Sequence, residues 1–158
     1  MKKLGRYLAA AACAAVVAAP SAAAAASSPC GLLTASQVKS VHVSKTSCTA
    51  KPAKTSSVGT LYFANWGGST FNAPHVSVSI LKPSNSLVLD LEKKNGAGSP
   101  VSVGDWARGE LVNGRTGANL GFISHGYYVA LIVHTPTSKP LKSMSQVVAL
   151  AKAIISGL

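Results

Sequence analysis

Cys30 and Cys48, with seventeen residues between them, are two of the three cysteines in the 158-residue chain. Four chemistries use such a pair: lipid attachment, a disulfide, metal ligation and nucleophilic catalysis. Lipid attachment requires a cysteine directly after a short Leu-containing box. Cys30 follows Ser27-Ser28-Pro29 instead, and Cys13 follows Ala10-Ala11-Ala12 with too short an apolar stretch before it. Tetrahedral zinc needs two more ligands close by, and His42 alone inside the loop does not complete a set. A nucleophilic thiol has to stay reduced, which an oxidising compartment opposes. If the chain is exported and Cys13 is removed with a leader, the remaining even count makes a Cys30–Cys48 disulfide the expected state.

Hydrolytic chemistry has one weak candidate. Gly121-Phe-Ile-Ser-His-Gly126 places a serine beside a histidine, but the spacing is G-x-x-S-x-G rather than the G-x-S-x-G of a nucleophile elbow, and a strand pattern follows where a helix should. A hairpin turn at His125-Gly126 is the expected role. Ser124, His125 and Asp105 stand as the alternative, a small envelope-modifying hydrolase. Ser36-Gln-Val-Lys39 and Ser79-Ile-Leu-Lys82 match S-x-x-K without its S-D-N and K-T-G partners. No glycine run has a phosphate-cradling frame. His42, His75, His125 and His134 lack the close companions that make a metal site readable, and Asp90 and Glu92 point apart on a helix. The reading therefore assigns no catalytic residue, no metal and no cofactor.

Aromatic side chains are the better candidates for binding. Tyr62, Phe63, Trp66 and Phe71 surround Gly67-Gly68, and Trp106 follows Gly104-Asp105. Either they fill a core or some of them line a groove, and the residues proposed for ligand contact are Tyr62, Trp66, Phe71 and Trp106.

The elements that would position these residues follow from periodicity. Thr34-x-x-Gln37 is a capping-box pattern ahead of Val38 and Val41, which predicts a short helix over Thr34 to Val43. From Thr49 to Ser57 the chain is Lys, Thr, Ala, Ser and Pro and reads as a loop. Residues 59–66 and 75–80 alternate as an antiparallel pair. Ser84 to Lys94 fits either period, and its flanking Ser, charged residues and Asn95-Gly96 favour helix. Residues 101–103, 107–112, 118–124 and 127–135 read as a meander with turns at Asn113-Gly114 and His125-Gly126. Met144, Val147, Val148, Ala151, Ile154, Ile155 and Leu158 follow a helical period, with Ser143-x-x-Gln146 as its cap. The expected fold class is α+β: an antiparallel β-sheet with N-terminal and C-terminal helices packed on one face.

The first 26 residues carry Lys2, Lys3 and Arg6 ahead of an alanine-rich run and Pro20, the layout of a secretory signal peptide cleaved after Ala26. Residues 27–158 then form a single disulfide-closed domain, expected to be secreted or associated with the cell envelope. Three of the fifteen basic residues lie in the leader, leaving twelve against four acids, a formal +8. The bases come singly or as Lys93-Lys94, and most are Lys, so a specific nucleic-acid site is not expected. An anionic envelope component or another protein is the expected partner.

Cys30-Gly-Leu-Leu-Thr-Ala-Ser-Gln-Val38, Val101-Ser-Val-Gly-Asp-Trp-Ala107 and the closing helix Val147–Leu158 together resemble a family of small actinobacterial secreted proteins and lipoproteins, domain of unknown function 3558. The resemblance spans most of residues 30–158. It implies an exported protein with a PsbP-like α+β architecture, and it brings no catalytic residues. In that family an aromatic strand residue commonly follows the second cysteine, whereas Cys48 leads here into a Lys- and Pro-containing segment. The functional expectation is a non-catalytic binding module. Intact mass spectrometry of the exported protein should give a chain beginning at Ser27 that gains two hydrogens on reduction; an acylated cysteine or a free thiol pair would contradict the reading.

Overall fold

The computed structural model describes residues 28–70 and 72–158. The expected leader, with Cys13, and the candidate Phe71 lie outside the described residues. A short 3-10 helix (Pro29–Leu32) precedes α1 (Ala35–Ser40), β1 (Cys48–Ser56), β2 (Gly59–Gly67), β3 (His75–Pro83), α2 (Ser86–Asn95), β4 (Ser99–Pro100), β5 (Trp106–Val112), β6 (Gly117–Ser124), β7 (Tyr127–His134) and α3 (Met144–Gly157). The strands form one antiparallel sheet in the order β1-β2-β3-β7-β6-β5-β4. With α1 and α3 on one of its faces, the chain has the expected α+β architecture.

Strict alternation builds the inner face. Val76, Val78 and Ile80 of β3 pair across to Val133, Leu131 and Val129 of β7, which pair in turn with Ala118, Leu120 and Phe122 of β6, and all nine are buried. Each such side chain, fully withdrawn from water, contributes about 1.5–3 kcal/mol for the larger aliphatics. Over this face lies α3, whose buried Val147, Leu150, Ala151 and Ile154 recur at the helical period and meet β5, β6, α1 and the 3-10 helix. Leu32, Leu33, Val38, Val41 and Val43 complete the layer from the N-terminal side.

Local signals set most of the boundaries. The capping box at α1 forms as expected: the Thr34 N–H donates to Gln37 Oε1 at 2.7 Å, and the Gln37 N–H donates to Thr34 Oγ1 at 3.3 Å. The helix stops at Ser40, short of the expected Val43, because His42 takes a left-handed φ of 64°. His125 and Gly126 both have positive φ between the paired Ser124 and Tyr127, the geometry of a two-residue primed turn. The hairpin reading of that segment therefore holds.

Three expectations need correction. Residues 49–57 are not a loop, because β1 runs through Cys48–Ser56 and pairs with β2 along its length. The strand has no inner-face hydrophobics to reveal it, since every residue after Cys48 is exposed at the sheet edge. Residues 101–103 are not a strand; the only pairing in that stretch is the two-residue β4 at Ser99–Pro100. Ser143 makes no side-chain cap on α3. Gln146 fills the position differently, accepting from the Lys142 N–H at 2.6 Å and donating to the Ser40 carbonyl at 3.1 Å, which ties α3 to the end of α1.

The Cys30–Cys48 disulfide joins the 3-10 helix to the first residue of β1. It anchors an edge strand that otherwise depends on its ladder to β2. Cross-linking a loop of this size restricts the unfolded chain by about 3 kcal/mol in the loop-entropy account. Replacing both cysteines by serine should lower the urea midpoint by a corresponding amount; dithiothreitol should produce the same drop in the parent protein and none in the double variant.

Candidate binding face

Side chains that alternate away from α3 form the outer face of the sheet. Its rows are set by register: Lys51 beside Phe63, and Thr49 beside Asn65 beside Ser77. At the end of the sheet nearest the β2–β3 connection these rows bound a groove of about 440 Å³, lined chiefly by Lys45, Lys51, Phe63, Asn65, His75 and Ser77.

The groove is both ordered and positive. Ser77 Oγ donates to Asn65 Oδ1 at 2.7 Å, and Asn65 Nδ2 donates to the Gly68 carbonyl at 3.0 Å, so the amide is held by both its ends. His75 Nδ1 lies 2.7 Å from the Ala73 carbonyl, and because a carbonyl only accepts, Nδ1 carries the proton. The His75 ring stacks on His134 of the neighbouring strand with centroids 5.7 Å apart. Lys51 Nζ sits 5.0 Å from the centre of the Phe63 ring, within cation–π range. No lining residue is acidic. The four acids stand on α2, in the 101–105 segment and on β5, and none of them lines the groove.

A second cleft of about 340 Å³ opens on the same face between the end of α2 and β5, β6 and β7, with Trp106, Arg108, Glu110, Asn119 and Tyr128 along it. Arg108 Nη1 donates to the Gly98 carbonyl at 3.0 Å and Asn119 Nδ2 donates to Glu110 Oε1 at 3.4 Å, so much of its polarity is internally matched. Gly96 touches the Trp106 indole so closely that a side chain there would collide with the ring. Burial holds the Tyr128 hydroxyl above the ordinary tyrosine range, and the charge of Glu92 and hydrogen bonding to it raise it further.

The four aromatic candidates fall in different places. Trp66 is only 2% exposed and its indole belongs to the inner core, so it presents no surface to a ligand. Tyr62, two residues before Ala64 on the same side of β2, is half-buried against that core. Alternation on β2 is the reason: Trp66, Ala64 and Tyr62 share the inner side and leave Phe63 and Asn65 outside. Trp106 does line the second cleft, and Phe71 is not described. The groove residues Lys45, Lys51, Asn65 and His75 were missed because β1 reads as a loop; once it is a strand, Lys51 and Phe63 necessarily adjoin.

Ser124 is buried on the inner side, while His125 is exposed in the turn and Asp105 is exposed with its N–H donating to the Ile123 carbonyl at 2.7 Å. Among the described residues no hydrogen bond joins their side chains. Ser79 and Lys82 of the second S-x-x-K match lie on opposite sides of β3. No group of three or more His, Cys, Asp or Glu among the described residues is placed to hold a metal ion. No protein-family model matches the chain, and no curated protein or solved structure is found to be similar to it.

Because folding raises the Tyr128 pKa, the stability contributed by the neutral phenol is complete below the ordinary tyrosine value and is lost as pH rises through the folded value. Glu92→Gln should lower the Tyr128 pKa, seen as phenolate absorbance appearing at lower pH, with the burial part of the shift remaining. An unchanged titration would separate Glu92 from Tyr128.

Proposed function

We propose that the protein is an exported, non-catalytic binding module that holds an anionic component of the cell envelope in the groove between β1, β2 and β3. The observation that carries this reading is the groove's composition. Two lysines and a histidine converge with hydroxyl and amide donors around a phenyl ring, and no carboxylate lines the site. Phosphate or carboxylate groups would meet Lys45 and Lys51, and carbon segments of the ligand would lie on Phe63.

Support for export comes from the basic, alanine-rich leader and from the disulfide, which favours an oxidising compartment. No helix among the described residues is long and apolar enough to cross a membrane. A place in the actinobacterial secreted family, proposed from its motifs around Cys30 and Asp105, is compatible with this role. Alternative chemistry through Ser124, His125 and Asp105 has no comparable support, because nothing in their arrangement lets one activate another.

Polyphosphate and polygalacturonate are suitable phosphate and carboxylate probes. Lys45→Ala/Lys51→Ala should weaken binding of at least one of them by roughly 10-fold or more, since a hydrogen bond to a charged group contributes about 1.5–3 kcal/mol. Lys142→Ala/Lys152→Ala removes the same charge on the helix-bearing side and should change affinity far less. Equal losses in the two variants would reduce the groove to general electrostatics, and no binding of either probe would overturn the proposal.

A further inference from the structure

The opposite end of the outer face carries a different surface. Among the described residues five large apolar side chains are exposed, and four of them belong to this end: Val58 (52%), Leu61 (42%), Leu87 (69%) and Leu91 (57%). Val58 is at the tip of the β1–β2 hairpin, and Ser84 binds that tip to the start of α2, its N–H donating to the Val58 carbonyl at 3.0 Å and its Oγ to the Ser57 carbonyl at 2.7 Å. Leu61 is near the same end of β2, where it pairs with Lys54 and Leu81. Leu87 and Leu91 are four apart on α2 and so share one side of it.

The apolar residues of α2 are divided between two sides of the helix. A normal surface helix turns its apolar stripe to the core and its charges to water. Here α2 rests on β3 and β7 with Val88, Leu89 and Glu92 half-buried, yet it fully buries none of its residues and leaves Leu87 and Leu91 outward beside the exposed Asp90, Lys93 and Lys94. Cations stand on the same elements: Lys54 on β1, opposite Leu61, and Lys93 and Lys94 in the last turn of α2. Of the two acids on the helix, Asp90 is paired with Lys93 at 3.5 Å and Glu92 is engaged at Tyr128. With Lys93 offset by Asp90, Lys54 and Lys94 carry the remaining positive charge beside the exposed apolar side chains.

We infer that this end is a membrane-contact surface, with α2 and the β1–β2 tip lying on an anionic lipid leaflet. Leu87, Leu91 and Val58 enter the boundary between headgroups and acyl chains, and Lys54, Lys93 and Lys94 reach lipid phosphates, their long stems letting the ammonium groups stay at the surface. Protein interfaces are depleted of lysine, whereas a basic rim around exposed leucines matches the lipid boundary, which is why a bilayer fits better than a second copy or another protein. The contact is peripheral and reversible. Gly67, at the far end of the groove, lies eight strand steps or roughly 26 Å from Gly59, whereas Phe63 is two residues from Leu61 and Lys51 three from Lys54, so the near rim of the groove adjoins the contact surface.

Sedimentation with lipid vesicles tests the inference independently of any ligand in the groove. The protein should partition onto vesicles containing phosphatidylglycerol and far less onto vesicles of phosphatidylcholine alone. Leu87→Gln/Leu91→Gln keeps helix propensity and should cut partitioning on the order of 10-fold with an unchanged melting temperature. Lys93→Gln/Lys94→Gln should weaken binding and flatten its salt dependence, while Lys45→Ala/Lys51→Ala should keep most of it. Full binding by the leucine variant would overturn the inference. So would a loss confined to Lys45→Ala/Lys51→Ala, which would make the groove the headgroup site, or a dimer that the leucine variant dissociates without any vesicle binding.

Discussion

One-sided burial governs this structure. The apolar stripe of α3 and the small N-terminal layer of α1 cover one face of a seven-stranded sheet, and almost all the aliphatic side chains of the strands alternate toward it. Because strand side chains alternate with a period of two, committing Val76, Val78 and Ile80 to the inside commits Ser77, Ser79 and Leu81 to the outside. The chain spends most of its long hydrophobics on the covered face, and the outer face is left with serine, asparagine, lysine and a smaller set of apolar groups. A face of that composition is a surface on which binding can be built at little cost to the core.

The edges of the sheet are protected by composition as well. The strand β1 exposes Lys51, Pro52 and Lys54, and its register with β2 shifts between Lys51 and Lys54. At the other edge β4 is two residues long and ends on Pro100. Proline removes a donor, lysine resists close approach by another strand, and an irregular register spoils the template for further pairing. The same lysines that blunt the edge also supply charge to both ends of the outer face, Lys51 at the groove and Lys54 near the hairpin tip. In this chain protection against edge association and attraction for anions come from the same residues.

At the apolar end α2 lies on the outer face near β3 and β7, with Gly96, just past its last turn, closing onto Trp106. Its half-buried side chains are Val88, Leu89 and Glu92, and none of its residues is fully buried. A helix held this lightly owes its presence to its connections, since β3 ends at Pro83 and the hairpin bond from Ser84 sets where the helix begins. The polar groove and the apolar end thus sit on one rigid platform, separated along the strands rather than on opposite sides of the molecule.

Much of this was legible in the sequence. The α+β class, the pairing of β2 with β3, the capping box at Thr34, the primed turn at His125-Gly126, the helical state of residues 86–95 and the Cys30–Cys48 disulfide all follow from local chemistry: periodicity, caps, turn residues and cysteine parity. Tertiary structure alone decided the rest. It made a strand of Thr49–Ser56, whose own composition favours a loop, because the backbone of β2 offers a ladder that no side chain in β1 announces. It sent Trp66 inward and Phe63 outward, which depends on which side of β2 the helices cover. And it turned Leu87 and Leu91 to solvent, since the face a helix presents is set by what it docks against, here β7 from later in the chain as well as the adjoining β3.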